Sequence, residues 1–440
     1  MNKQLRLIAA FLICALVPLT CLRAQSDAEK QVTELDVNGL KVLVKRRPGV
    51  PTVAAALFIR GGSTNVTPDT AGIESFMLNA STEASKAYPR EMLRKELART
   101  ATSIGSSAGR DYSGLVMACT KQNFDDSWKM FTDIAINPTF ASEDVDRIRG
   151  NILNGLSAKG DAPDSFLEDA VEHTIYAGHP YANDPEGTPA NIARFTVADL
   201  VAYHKRVLQT SQLLLVIVGD VDPTQIQKLA TASFGSLPRG SYKQPAIPAL
   251  DFSKPTLDVA NRPVETDYIE GSFAAPSPSD PDYYPMRVAM SILQTQVYQE
   301  IRTRLNLSYA PDAALNTNAA NNAFIYVTTT KPNDAISAML TKMRDLRENE
   351  VTDDTIRQYG NFFLTTYYIG QETDAAQAGE LARYEMLGGG WRNSFGFIDH
   401  LRQVTPAQVK AVAQKYMKNV RFDLVGNPTG VDRSVFLPAQ

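Results

Sequence analysis

The chain repeats itself at an offset near 210 residues, and this constrains its fold more than any other feature. Ser142-Glu143-Asp144 opens a segment that continues through Arg149-Gly150-Asn151-Ile152, and Thr352-Asp353-Asp354 opens one that continues through Tyr359-Gly360-Asn361-Phe362, with the two glycines 210 positions apart. Thr196, ahead of Leu200 and Tyr203, is matched 209 positions later by Thr405, ahead of Val409 and Val412. Val218-Gly219-Asp220 and Val425-Gly426-Asn427 stand 207 apart. Unrelated helix starts do not keep order and spacing together, so the repeated unit decides the architecture before any single motif does. The expectation is an α+β fold made of two homologous tandem domains.

Each unit reads as a strand-rich opening, several helices, then a closing strand and helix. Val53 to Ile59 is an apolar run ending at the Gly61-Gly62 breaker, and Leu213 to Val218 is another; both read as buried strands. Asp222 caps a helix with Pro223 at its first position and Ile226, Leu229, Ala230 and Phe234 on one face. Pro238, Gly240, Pro245, Pro248 and Pro255 then punctuate a stretch that can neither continue a helix nor join a central strand. This divides the chain into 1–24, an N-terminal domain at 25–240, a linker at 241–258 and a C-terminal domain at 259–440.

Lys3 and Arg6 precede an apolar stretch from Leu7 to Leu19 and then Leu22-Arg23-Ala24, the layout of a secretory signal cleaved after Ala24. That stretch is shorter than the roughly 20 residues a membrane span needs, so no stable span is expected. Lipidation at Cys21 is the minor alternative, with Pro18-Leu19-Thr20 a poor lead-in. Export, to a periplasm, is the expected location. Without residues 1–24 the formal charge goes from −4 to −7 and no run of Lys or Arg longer than Lys45-Arg46-Arg47 remains, so nucleic acid is not an expected partner. Cys119 is then the one remaining thiol, placed in a core strand without an internal disulfide. With 44% hydrophobic and 21% charged residues, the composition is that of a folded protein.

The order of short motifs carries a resemblance. Ala71-Gly72-Ile73 into a helix, His179-Pro180-Tyr181, Val218-Gly219-Asp220, Phe234-Gly235 with Leu237-Pro238, and the Arg302 to Tyr309 segment follow one another as in the insulinase-like, or pitrilysin, metallopeptidases, which are also built by duplication. Half-size chains of that kind pair like the halves of a clam around a peptide, so the resemblance implies half of a clam-shaped chamber. That family holds zinc on an inverted His-x-x-Glu-His helix with a second Glu further on, the first Glu acting as base toward zinc-bound water. Here the matching helix has Ser75-Phe76-Met77-Leu78-Asn79 and the distal position is Gly155. Ser75, Leu78, Asn79 and Gly155 thus replace all four functional positions, and no cofactor is expected on this chain; the zinc is expected in a partner.

Other chemistry has little support in the residues. Of His173, His179, His204 and His400, the first two are six apart, on opposed faces if both were helical. His179 beside Pro180 reads as a packed or capping histidine. There is no Gly-x-Ser-x-Gly elbow, and Gly388-Gly389-Gly390 lacks the Lys and Ser/Thr of a phosphate loop. By the resemblance, Arg302 and Tyr309 match an Arg and Tyr that reach from the non-zinc lobe into the cleavage site, the Arg holding the substrate backbone and the Tyr hydroxyl donating to the oxyanion. Asn306 stands where the family has Gly at the helix end and can take the same left-handed cap. Gln294-Thr295-Gln296 replaces the family's Gly-rich stretch. The expected function is the non-zinc subunit of a two-chain zinc peptidase, with a zinc-bearing half-size homologue as partner and a peptide as substrate. The alternative is an exported peptide-binding or scaffold protein with no catalytic role.

Overall fold

The computed structural model describes residues 29–437, and the segment expected as a signal, with Cys14 and Cys21, lies outside them. Among the described residues, eleven strands form two sheets. The first contains β1 (Val32–Val37), β2 (Leu40–Arg46), β3 (Thr52–Arg60), β4 (Ser103–Ala108), β5 (Tyr112–Thr120) and β6 (Leu213–Gly219), in the order β1-β2-β6-β3-β5-β4. The second contains β7 (Thr256–Asn261), β8 (Asp267–Ala274), β9 (Asp312–Leu315), β10 (Asn322–Thr329) and β11 (Arg421–Gly426), in the order β7-β11-β8-β10-β9.

Strand for strand, the second sheet is the first without β1. β2 runs parallel to β6 and β7 runs parallel to β11. From there, β6-β3-β5-β4 and β11-β8-β10-β9 are antiparallel throughout. The helices repeat as well. Thr196 and Thr405 each close a capping box at the start of the Val197–Val207 and Pro406–Tyr416 helices, with Asp199 and Gln408 reaching back. The two glycines 210 apart fall in the Ser142–Asp161 and Asp353–Gly370 helices. The chain is two tandem copies of one α+β unit. The edge strand β1 is joined to β2 through Asn38-Gly39, both at positive φ (54° and 88°), the pairing a tight two-residue hairpin requires.

Every residue of β6 is buried, which requires cover on both faces of the sheet. Helices of the same unit cover one face, packing Phe76, Trp128 and Phe131 against Val44, Leu57 and Leu215. The other face is covered by the second unit, whose Asp374–Leu387 helix and Trp391 pack on Leu43, Phe58, Leu214 and Val216. The exchange is reciprocal, because the Pro163–Ile175 helix of the first unit lies on β11 and β8. Each large apolar side chain covered this way contributes on the order of 1.5–3 kcal/mol, so neither unit completes its own core alone. Arg47 with Asp374 (2.5 Å) and Lys41 with Glu385 (2.6 Å) join the units at the rim of this contact. The Lys41–Glu385 pair is partly exposed and fixes orientation more than it stabilises, whereas Asp374 is buried and is satisfied there by Arg47 and by the hydroxyl of Thr52 at 2.6 Å.

Cys119 is buried on β5, within the core. Residues 241–255 are irregular, and β7 starts at Thr256, inside the stretch expected as linker, because Leu257 is buried and pairs with Phe422 of β11. Among the described residues no helix is long and apolar enough to cross a membrane.

Candidate functional site

Two groups of residues were expected to carry chemistry, and they lie in different units. Ser75, Leu78 and Asn79 share one turn of the Ile73–Ser81 helix. That helix starts at Gly72, at φ 91°, where a Cβ would stand 2.6 Å from the Cα of Gly187, so only glycine allows this close approach. Gly155 lies on the Ser142–Asp161 helix, which packs against the Ile73–Ser81 helix. The fold therefore brings together the two helices that the resemblance requires.

What those positions offer is a hydroxyl, an alkyl group, an amide and a bare backbone. Leu78 is buried in the core. The Asn79 side-chain amide donates to the Ser75 carbonyl at 2.8 Å, and Ser106 Oγ donates to Asn79 Oδ1 at 3.4 Å. Gly155 faces open space. None of these is an imidazole, thiolate or carboxylate, so the donor set does not fit zinc. The helix does carry one acid, Glu74, but it points into the protein, where it accepts from Tyr203 Oη (2.5 Å) and Asn65 Nδ2 (3.3 Å). Burial pushes its carboxyl above the usual range. Among the described residues, no group of three or more His, Cys, Asp or Glu side chains is arranged to hold a metal ion.

Three of the four histidines are held by local contacts, and His173 is exposed. His179 Nδ1 accepts from the backbone N–H of Tyr181 at 3.1 Å and Nε2 lies 2.9 Å from the Pro248 carbonyl, which ties the irregular 241–255 stretch to the first unit. It is a cap, as expected, but not on a helix shared with His173: that helix ends at Ile175, and Gly178 at φ 72° turns the chain. His204 is packed against Phe140, and burial lowers its pKa. His400 lies 4.6 Å from the ring of Tyr284.

Arg302 and Tyr309 are brought together, by a feature the sequence does not announce. The Tyr283–Val297 helix, which includes Gln294-Thr295-Gln296, widens at its end into a π-helical segment, Tyr298–Arg304. Leu305 N–H donates to the Glu300 carbonyl at 2.9 Å, and Leu307 N–H donates to the Ile301 carbonyl at 2.9 Å. Asn306 takes φ 51°, the left-handed cap expected of it. Ile301 is fully buried and anchors the segment, while Arg304 and Lys342 hold Glu300. This geometry sets the Arg302 guanidinium 3.8 Å from the ring centroid of Tyr309. Tyr309 is 77% exposed, the most open large apolar side chain among the described residues. Among those residues no carboxylate forms an ion pair with Arg302. Two donors, one charged, thus stand together at the surface with hydrogen-bonding capacity to spare.

Two family descriptions match this chain. "Insulinase (Peptidase family M16)" covers residues 41–188, and "Peptidase M16 inactive domain" covers 194–361. An uncharacterized zinc protease of Mycobacterium leprae is 20% identical over 400 residues, 87% of this chain and 88% of the relative. The mitochondrial-processing peptidase subunit beta of Blastocladiella emersonii is 25% identical over 264 residues, 60% of this chain and 56% of that protein. Among solved structures, a peptidase M16 inactive domain from Pseudomonas fluorescens superposes with a TM-score of 0.83 at 18% identity, covering 90% of this chain and 98% of its own. With both halves matched in order, and the duplicated sheet and exchanged helices in place, the chain belongs to the insulinase, or M16, peptidase family.

Proposed function

We propose that this chain is the non-zinc subunit of a two-chain zinc peptidase, presenting Arg302 and Tyr309 across a chamber to a partner that carries the metal. The observation that carries the reading is the contrast between two places in the fold. At one, where the Ile73–Ser81 and Ser142–Asp161 helices pack, the four positions a zinc site would occupy supply no imidazole, thiolate or carboxylate. At the other, a guanidinium and a phenol are held stacked and open to solvent on a buried anchor. In the proposed complex the peptide lies between the halves, Arg302 holds its backbone carbonyl, and the Tyr309 hydroxyl donates to the oxygen on which negative charge develops. The family match to an inactive domain and the likeness to a named peptidase subunit support this reading. Export to a periplasm is part of the proposal.

Two measurements test it. The purified mature chain is expected to bind less than a tenth of a zinc per chain after dialysis and to cleave no peptide, because Ser75, Leu78, Asn79 and Gly155 supply no strong ligand. One zinc per chain by elemental analysis refutes the assignment of those positions. Co-expressed with a half-size homologue that has an intact His-x-x-Glu-His helix, the chain is expected to co-elute at micromolar concentration through an interface above about 1,000 Å². Separate elution leaves the scaffold reading in its place.

A further inference from the structure

The acids of one exchanged arm meet cations at the edge of an apolar face, Asp374 with Arg47 and Glu385 with Lys41 and Arg60, while the other arm meets carboxylates beside its apolar contacts. Beneath the Asp374–Leu387 helix the first sheet presents Ala56, Phe58, Leu214, Val216 and Val218. Beneath the Pro163–Ile175 helix the second sheet presents a cross-strand row in which Asp258 of β7 is opposite Asp423 of β11, Asp423 opposite Glu270 of β8, and Glu270 opposite Tyr326 of β10. Directly opposed residues share a face, with Cβ atoms about 4.5–5.5 Å apart. The same architecture is satisfied by an apolar face in the first unit, so the fold itself does not demand acids in the second.

The helix brings more charge of the same sign. Asp164, Glu168 and Glu172 recur every four residues and form one stripe beside the buried stripe Leu167, Val171 and Ile175. With Glu270, Tyr176 and Tyr326 they line a cavity of about 440 Å³ between helix and sheet. Thr174 donates to Asp423 at 2.8 Å, Ser272 donates to Glu270 at 2.9 Å, and Tyr326 donates to Asp164. The nearby cations are otherwise engaged. Arg110 pairs with Glu172 at 2.7 Å, and Arg421 donates to the Thr174 carbonyl at 3.2 Å. Among the described residues no cation forms an ion pair with Glu270 or Asp423.

Burial pushes both carboxyls up to about 7. Asp423, Glu168 and Glu172 push Glu270 further up against the Ser272 bond; Asp258 does the same for Asp423, against the Thr174 bond and Arg421.

We propose that the seat of the Pro163–Ile175 helix on the second sheet is a pH-operated latch. With Glu270 and Asp423 protonated the arm lies on the sheet, and with both ionised it lifts, releasing half of the reciprocal grip between the units. The sign follows from linkage. The seated state binds protons more tightly than the free one, so the latch is tightest below the ordinary carboxylate range and weakens as pH rises through about 7. This helix follows directly on Ser142–Asp161, the helix that carries Gly155.

The test is hydrogen exchange of the full mature chain at pH 5.5 and pH 8, corrected for intrinsic rates, with the Asp374–Leu387 helix as internal reference. Peptides from Pro163–Ile175 are expected to lose at least tenfold in protection at pH 8 while the reference keeps its own. The double variant Glu270→Gln, Asp423→Asn imitates the protonated pair and is expected to abolish the difference. Equal responses of the two arms in the wild type, or a double variant that keeps the wild-type response, overturns the latch. The wild-type comparison decides alone if the variant does not fold.

Discussion

In the reconstituted two-chain complex, Tyr309→Phe is expected to lower kcat by about 10²–10³ while leaving assembly and zinc content unchanged. The magnitude is that of losing one donor aimed at a developing oxyanion, roughly 3–4 kcal/mol of transition-state stabilisation. The substitution is clean because the tyrosine is 77% exposed and its ring, which Arg302 covers, is retained in phenylalanine. Arg302→Ala acts differently. It removes a group that holds substrate in ground and transition states alike, so KM rises as well, and it also strips the cover from Tyr309 and lets that ring wander. Arg304→Ala is the control. Its guanidinium is largely exposed and pairs with Glu300 four residues back, a solvent-screened surface pair that contributes little. Steady-state cleavage by the three variants, with elution volume checked for each, distinguishes an active-site subunit from a scaffold. Wild-type kcat in the Tyr309→Phe complex sinks the proposed role.

How far such a site can be read from sequence depends on whether its cause is local. Thr196 and Thr405 announce themselves because a capping box is written within four residues, and the run Leu213 to Val218 announces a strand buried on both faces. What covers the second face is not written there. The answer is a helix more than 150 residues away in sequence, and nothing in the Asp374–Leu387 segment specifies whose sheet it will lie on. The Arg302 and Tyr309 spacing was legible through the family resemblance, and Asn306 through its tolerance of positive φ. The π-helical widening at Tyr298–Arg304, which sets the two side chains on each other, has no compositional mark. Two further signals are local and legible. Gly178 after Tyr176-Ala177 ends the helix before His179, which removes the two-histidine helix from consideration. Asp423 interrupts the apolar run Phe422, Leu424 and Val425, and an acid in a central strand marks a buried polar contact.

The exchanged helices make a second strong prediction, in stability rather than rate. Trp391 belongs to the second unit in sequence, yet its indole is buried against the outer face of the first sheet, 1% exposed, with Nε1 donating to Glu34 at 2.8 Å. Trp391→Ala is expected to destabilise the protein by about 3–5 kcal/mol, the usual cost of deleting a buried aromatic whose cavity cannot close between the first sheet and the Asp374–Leu387 helix. Set against a typical total of roughly 5–15 kcal/mol, that loss falls on the contact that holds the units together. Unfolding in denaturant should then change shape as well as midpoint, with the two units separating into two transitions. Trp391→Phe separates packing from hydrogen bonding, because it keeps most of the volume and loses the bond to Glu34, for about 1 kcal/mol. It also leaves Trp128, which packs in the first unit's own core, as the sole tryptophan, so fluorescence then follows that unit alone while circular dichroism follows both. A Trp391→Ala variant that unfolds in one transition within 1 kcal/mol of wild type would show that the units cohere without this anchor, and that the weight of the exchange rests on the Pro163–Ile175 arm instead.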